Sequence, residues 1–123
     1  MEEVSYVRVS PTLPVRDVRK AIEFYQRALG LEQRSVYGDP PTFAIVGAGD
    51  VFIQLSLDRE GSTAGRAGCY ITVTGVERLF ERCRAAGADL DSGLAVRDYG
   101  MRDFVVHDAD ENHISVGESV RAA

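Results

Sequence analysis

Side chains that could perform acid–base or covalent chemistry are few in this sequence. The chain of 123 residues has two histidines, of which His113 is the nearest candidate for a metal ligand or a general base, since imidazole titrates near neutral pH. Its companion His107 lies beside a predicted turn, and we expect both histidines to be surface or hydrogen-bonded residues. The only lysine, Lys20, falls on the solvent side of a predicted helix. Covalent catalysis is therefore not indicated.

Two short motifs imitate known ligand loops but lack residues that those loops need. Residues 108–112 begin like a calcium loop, yet its sixth position is His113 and its twelfth is Ser119, where glycine and glutamate are required. Residues 47–49, Gly-Ala-Gly, lack the third glycine and the following helix of a dinucleotide-binding loop. We therefore predict that both segments are hairpin turns.

The composition is that of one compact domain over residues 1–123. Hydrophobic residues make up 45% and charged residues 27%, and the formal net charge of -5 has the wrong sign for a nucleic-acid partner. No apolar run approaches the ~18 residues that cross a bilayer, and the first residues lack the features of a secretory signal. Cys69 and Cys83 form no CxxC pair, which predicts buried thiols. We expect a cytoplasmic protein without a membrane partner.

An internal repeat organises the chain. Residues 10–25 run strand, cap and helix, and residues 68–83 repeat that order. Gly30 and Gly87 each follow a helix where a left-handed residue is needed to end it. The sequence thus predicts an α+β fold of two tandem βαβββ modules, about 1–62 and 63–123, although chance similarity of two amphipathic units stays an alternative.

Hydrophobic periodicity assigns the individual elements. Asp17 is predicted to cap the first helix, and Thr74 with Glu77 to form a capping box for the second, whose apolar stripe places Cys83 in the core. Period-two alternation predicts the first strand over 7–15. Further strands are predicted near 31–37, 42–47, 51–56, 90–96, 101–106 and 113–118, with a strand before the second helix.

A ligand is expected on the sheet face that the helices leave open. Alternation puts Phe52 and Tyr70 on this open face among hydroxyl and amide groups, which suits a small organic ligand. Alternation alone does not decide whether Met101 and Asp103 or their neighbours face it; Asp103 would suit a cationic ligand. The predicted ligand-binding residues are Ser10, Thr12, Phe52, Gln54, Tyr70, Tyr99, Met101, Asp103, His113 and Ser115.

Three stretches carry the motifs of a known family. They are residues 13–17, 24–31 and 99–118, the last being similar to an Arg-Glu-Phe…Asp-Pro-Asp-Gly-Asn hairpin with Ala109 and Glu111 in place of its proline and glycine. Together they resemble the vicinal oxygen chelate superfamily of glyoxalase I, extradiol dioxygenases, fosfomycin resistance enzymes and bleomycin resistance proteins. The resemblance, closest to the bleomycin resistance branch, implies a cup-shaped mixed sheet with helices on its convex face.

The same resemblance implies that the metal centre of the superfamily is absent. Its metal enzymes place histidine or glutamate ligands at four positions, which correspond here to Ser10, Gln54, Gly68 and Ser115. Two hydroxyls, one amide and a missing side chain supply no charge or imidazole to hold a divalent ion. We expect no metal and no cofactor at these positions.

The leading hypothesis is a metal-free small-molecule binding protein, similar to the antibiotic-sequestering resistance proteins, with a cationic or aromatic antibiotic as ligand. The resemblance also implies a homodimer in which modules of both chains complete each site. One alternative is a glyoxalase-like or dioxygenase-like enzyme with an unrecognised metal site, or with His113 or Asp103 in proton transfer. Another is an accessory module whose open face binds a protein.

Overall fold

A computed structural model describes residues 3–120 and shows two helices and eight strands in that range. In chain order they are β1 (Thr12–Val15), α1 (Val18–Leu29), β2 (Glu32–Gly38), β3 (Pro41–Ala48), β4 (Val51–Leu57), β5 (Gly68–Thr72), α2 (Val76–Ala85), β6 (Asp89–Val96), β7 (Met101–His107) and β8 (His113–Ser119).

Each module forms its own four-stranded mixed sheet. The strand order is β1-β4-β3-β2 in the first module and β5-β8-β7-β6 in the second. The first strand of each module runs parallel to the last, and the remaining pairs are antiparallel. Identical strand order in both sheets confirms the predicted α+β fold of two βαβββ modules.

The first strand is shorter than predicted. The expected strand over 7–15 is wrong for residues 7–11, because only Thr12–Val15 pairs with β4, and Ser10 lies outside the strand. Pro11 has no N–H to donate to a neighbouring strand. Val7 and Val9, which gave the alternating pattern, are 84% and 88% exposed. An alternating pattern indicates an extended segment with two unlike faces, but it does not show whether a neighbouring strand is present to pair with that segment.

One helix packs on the core-facing side of each sheet, as the apolar stripes predict. Tyr25 of α1 is fully buried, and Phe80 of α2 packs edge-on against Phe104 of β7 with 5.3 Å between ring centroids. Cys83 is buried as predicted, whereas Cys69, also predicted to be buried, is only partly buried. The fully buried side chains Leu13, Val15, Val18, Tyr25, Val46, Ile53, Leu55, Val76, Phe104, Val106, Ile114 and Val116 form the centre of this core.

The first helix has the predicted ends. The Asp17 carboxylate accepts a hydrogen bond from the backbone N–H of Lys20, 3.1 Å away. Gly30 is left-handed at φ 68°, so the N–H groups of Gly30 and Leu31 turn back to bond carbonyls of the last turn. Both ends are local features of the sequence, which is why spacing alone located them.

The predicted capping box of the second helix is wrong. The N-cap residue is Gly75, whose φ of 85° is left-handed, and no side chain of the helix caps it. Instead, Glu118 of β8 accepts hydrogen bonds from the N–H groups of Gly75 and Val76, at 3.0 and 3.1 Å. A carboxylate brought from the neighbouring strand therefore replaces the local Thr74 hydroxyl as acceptor.

The turn between β7 and β8 holds the second module against the first. Asp108 accepts a 2.6 Å hydrogen bond from the Tyr25 hydroxyl on α1, and its other oxygen accepts from the N–H groups of Asp110 and Asn112. Asp110 accepts from the N–H of Arg16, while the Asn112 amide donates to the Pro14 carbonyl. The predicted hairpin turn thus also acts as a polar bridge between modules.

The two helices are joined at the end of α1. The Arg82 guanidinium on α2 donates to the carbonyls of Gln26 and Arg27 in the last turn of α1, and the Gln26 carbonyl also accepts from the N–H of Gly30. The buried Cys83 thiol donates to the Ala28 carbonyl at 3.2 Å. Within residues 3–120, neither helix combines the length and the apolar character needed to span a bilayer.

The polar bridge predicts a cost for removing one hydroxyl. Tyr25→Phe leaves the buried Asp108 carboxylate without its 2.6 Å donor, so we expect the free energy of unfolding to fall by about 1–3 kcal/mol. Denaturant unfolding followed by circular dichroism measures this change. Tyr37→Phe, at a half-exposed tyrosine on β2, is the matched control and should leave the midpoint unchanged. Equal midpoints for both variants would contradict the bridge.

The capping correction is tested by a second pair of variants. Glu118→Ala removes the acceptor of two helix N–H groups and should lower the free energy of unfolding by about 1–2 kcal/mol, whereas Thr74→Ala should change it little. The same unfolding experiment distinguishes them. A larger loss for Thr74→Ala would restore the local capping box.

Candidate functional site

The open face of the second sheet carries most of the predicted ligand residues. Because Phe104, Val106, Ile114 and Val116 pack under α2, their alternate neighbours on β7 and β8 point the other way. Met101 and Asp103 therefore lie on the open face, a choice that alternation alone left undecided. Arg102 points to the helix side and pairs with Glu77 of α2. The open face of this sheet therefore presents Tyr70, Met101, Asp103, His113 and Ser115.

A buried carboxylate fixes two tyrosine rings on this face. Asp103, 3% exposed, accepts hydrogen bonds from the Tyr70 and Tyr99 hydroxyls at 2.9 and 2.5 Å through one oxygen. Its other oxygen pairs with the Arg97 Nε at 2.7 Å. Tyr70 and Tyr99 remain 44% and 60% exposed, so their rings stay accessible while their hydroxyls are held. We call Tyr70 and Tyr99, with Asp103 beneath them, the tyrosine platform.

The protonation states of the tyrosine platform follow from these contacts. Desolvation opposes ionisation of Asp103, but hydrogen bonds from Arg97, Tyr99 and Tyr70 together hold its pKa below the ordinary value. Partial burial and the bond to Asp103 raise the pKa of Tyr70 to about 12. The Tyr99 pKa is raised mainly by its hydrogen bond to the same carboxylate. Both phenols are hence neutral donors at physiological pH, and Asp103 already has three partners.

Tyr70 can reach Asp103 because residue 117 has no side chain. A Cβ at Gly117 would lie 2.0 Å from the Tyr70 hydroxyl oxygen and 3.0 Å from the Asp103 Cβ. Any larger residue there would displace the ring from its position over β8. The need for glycine at position 117 to admit the Tyr70 ring has no signal in the sequence.

An apolar cavity of about 340 Å³ lies between the modules, with Tyr70 on its wall. Residues 50–53 line it from the first module, residues 69–72 from the second, and Val9 and Pro11 from the segment before β1. Phe52 lies on this wall with the Arg8 guanidinium 4.2 Å from its ring centroid. The cavity therefore brings together the two aromatic residues that alternation placed on the open face.

Asp50 supplies a free negative charge at this cavity. It is exposed in the turn before β4 and lines the cavity, whereas the Asp103 carboxylate is already bonded by Arg97 and two phenols. Asp50 was not among the predicted site residues because a turn residue carries no periodic signal. It is the carboxylate open to a cationic ligand at the cavity.

The four positions that hold metal in related enzymes do not form a ligand set here. Gln54 on β4 is paired in register with Thr12, whose hydroxyl donates to its amide oxygen at 2.9 Å. A Cβ at Gly68 would lie 2.3 Å from the His113 carbonyl oxygen, so β5 and β8 leave no room for a coordinating side chain there. Ser115 lies opposite Tyr70 in the parallel register. These residues offer only neutral oxygens to an ion.

Comparison with known proteins agrees with this architecture. Residues 6–116 match the family model of the Glyoxalase/Bleomycin resistance protein/Dioxygenase superfamily. A bleomycin resistance protein of Geobacillus stearothermophilus is 28% identical over 131 residues, covering 91% of this chain and 96% of that protein. A Staphylococcus aureus protein of the same name matches equally well.

Solved structures show the same fold. The bleomycin-binding protein of bleomycin-producing Streptomyces verticillus, complexed with copper(II)-bleomycin, superimposes with a TM-score of 0.79 at 25% identity, over 95% of this chain and 99% of that one. TioX from Micromonospora sp. ML1 gives a TM-score of 0.80 at 19% identity, covering 94% of this chain and 100% of its own. With the family model spanning nearly all of its paired modules, this chain belongs to the Glyoxalase/Bleomycin resistance protein/Dioxygenase superfamily.

Proposed function

We propose that this protein captures an aromatic or cationic antibiotic in the cavity between its modules and does not transform it. The observation that carries the proposal is the tyrosine platform, two accessible rings fixed by one buried carboxylate, with the Tyr70 ring on the wall of an apolar cavity. Relatives named as bleomycin resistance or bleomycin-binding proteins support an antibiotic as the ligand.

Fixed rings favour stoichiometric capture because the cost of ordering them is met in folding. A ring that is already held by a hydrogen bond loses little rotamer freedom when a flat ligand stacks on it. Phe52 offers a further ring on the wall given by the first module, and Asp50 offers a charge for a cationic group. The predicted residues Ser10, Thr12, Gln54, Met101, His113 and Ser115 stay proposed polar and apolar contacts around this centre.

Capture in this cavity does not call for an ion at the four superfamily positions. Ser10, Gln54 and Ser115 carry neutral oxygens, and Gly68 has no space for a replacement ligand. Neutral oxygens alone hold a divalent ion weakly. Burial raises the pKa of the Cys69 thiol at the cavity wall and so disfavours its reactive thiolate form, which makes binding without turnover the function that this geometry supports best.

We further propose that the working form is a cytoplasmic homodimer. Val4 and Tyr6 are 82% and 97% exposed, and Val7 and Val9 are similarly open, so residues 4–9 expose four apolar side chains to water, while Arg8 among them contacts Phe52. The same segment leads into Val9 and Pro11 at the wall of the cavity. A second copy that covers this segment would remove it from water and close the cavity at the same time.

Calorimetric titration tests the binding function. Titration of the purified protein with cationic glycopeptide, enediyne and quinone antibiotics should give saturable binding for one class, unchanged by a chelator and without conversion of the ligand. Tyr70→Ala should weaken that binding by at least about tenfold, because a stacked ring contributes roughly 1.5–3 kcal/mol. Failure in all three classes, or steady turnover of any ligand, would overturn the proposal.

A glycine pair provides the matched control for this titration. Gly117→Ala deletes no contact but displaces Tyr70, so it should weaken binding in the same direction as Tyr70→Ala. Gly93→Ala, on β6 with no atom within 4 Å of the added Cβ, should bind as the unchanged protein does. If both glycine variants bind alike, the position of Tyr70 is not what the ligand recognises.

The dimer is tested separately by sedimentation velocity. A double change of Tyr6→Asp and Val9→Asp charges the apolar segment and should convert the dimer into a monomer at micromolar concentration. Val96→Asp, at another exposed valine on the edge strand β6, should leave the dimer intact. A monomeric unchanged protein would refute the assembly.

A further inference from the structure

The two histidines of the chain lie side by side on the open face of the second sheet. His107 ends β7 and His113 begins β8, and the antiparallel register pairs them directly across the hairpin. On the other side of His107, β6 places Asp89 opposite it in register. Asp91 lies at the irregularity that follows on β6. Three adjacent strands thus bring imidazoles and carboxylates to one corner of the sheet.

The distances in this corner are those of a ligand set. Nε2 of His107 lies 3.4 Å from Nδ1 of His113. One ligand atom from each of Asp91, His107 and His113 falls within a group whose members are all within 4.8 Å of one another. The opposite nitrogen of His107, Nδ1, lies 3.5 Å from a carboxylate oxygen of Asp89.

We propose that Asp91, His107 and His113 bind a divalent transition-metal ion such as Zn²⁺, with Asp89 orienting His107. This histidine corner, defined by those four residues, is separate from the four positions that hold metal in related enzymes. The inference does not rest on antibiotic capture, because it uses neither the tyrosine platform nor the cavity.

The separation of the two imidazole nitrogens fits a shared ion. Two nitrogens bound to one tetrahedral zinc at about 2.0–2.1 Å lie about 3.3 Å apart. The observed 3.4 Å between Nε2 of His107 and Nδ1 of His113 is close to this separation. Asp91 is exposed and supplies the negative charge that offsets part of the positive charge of the ion.

Asp89 and the hairpin turn hold His107 and His113 in place. Metal-binding histidines usually donate their second ring N–H to a carboxylate, which fixes the ring orientation and tautomer. Asp89 is placed to accept from Nδ1 of His107 in this way. The turn between them is locked by Asp108, whose carboxylate bonds the N–H groups of Asp110 and Asn112. The pair therefore stands on a rigid hairpin.

The ligand types select the class of ion. Imidazole with one carboxylate suits Zn²⁺, Ni²⁺ or Cu²⁺, whereas Mg²⁺ and Ca²⁺ prefer sets of oxygen ligands. Three protein ligands leave a fourth coordination position of a tetrahedral ion open. Because His113 and Asp91 are exposed, that position faces solvent and is accessible to water or to a coordinating group of a small molecule.

Titration of the untagged full chain with Zn²⁺, followed by calorimetry, tests the histidine corner. We expect one Zn²⁺ per chain, no competition from excess Mg²⁺, and loss of saturable binding in both His107→Ala and His113→Ala. Asp91→Asn should weaken binding, and Asp89→Asn should weaken it by ~10-fold through the orientation of His107. Asp98→Asn, an exposed acid in the turn before β7, is the matched control and should bind as the unchanged protein.

A second readout separates coordination from loss of fold. Ring-nitrogen NMR shifts of the chain's two histidines should both move on addition of Zn²⁺, and the variants should keep the unfolding midpoint of the unchanged chain. Absence of saturable Zn²⁺ binding at one ion per chain would overturn the site. Binding that persists in both histidine variants would overturn it equally.

Discussion

The buried Asp108 carboxylate sets the arrangement of the two modules, and the rest of the molecule depends on that arrangement. It bonds Tyr25 from α1 and the N–H groups of its own turn, so the hairpin of the second module docks on the first in one orientation. A buried carboxylate left without these donors would be costly, so the modules are held together by the need to satisfy it. The cavity between residues 50–53 and 69–72 exists because of this docking.

A second buried carboxylate, Asp103, fixes side chains of the open face by accepting several hydrogen bonds, as Asp108 does in the interior. It holds two tyrosines by their hydroxyls and leaves their rings exposed, which is a stable way to keep large apolar surfaces on a sheet face. The lack of a side chain at Gly117 and at Gly68 belongs to the same arrangement. Gly117 leaves room for the Tyr70 ring, and at Gly68 the His113 carbonyl leaves no room for a side chain. The face is thereby suited to stacking on a ligand.

Local patterns predicted the elements well, since they depend on neighbours in sequence. Local patterns placed six of the strands close to their observed bounds and a seventh before α2, and the cap at Asp17 and the stop at Gly30 were identified from spacing. Alternation also put Phe52 and Tyr70 on the same open face. Errors arose where an element needs a distant partner: among the described residues, 7–10 pair with no strand, and α2 takes its cap from Glu118 on another strand.

By itself, the sequence determined the paired modules and the core stripes, because both follow from residue type and local periodicity. The resemblance to the superfamily then identified four positions that carry no imidazole or carboxylate here. Only the tertiary structure decided that Arg97 and two phenols occupy the Asp103 carboxylate, that Asp50 lines the cavity, and that Asp89 and Asp91 stand beside the histidines. These contacts join strands or turns whose register is set by the packing of the whole sheet, and no pattern within a single segment encodes it.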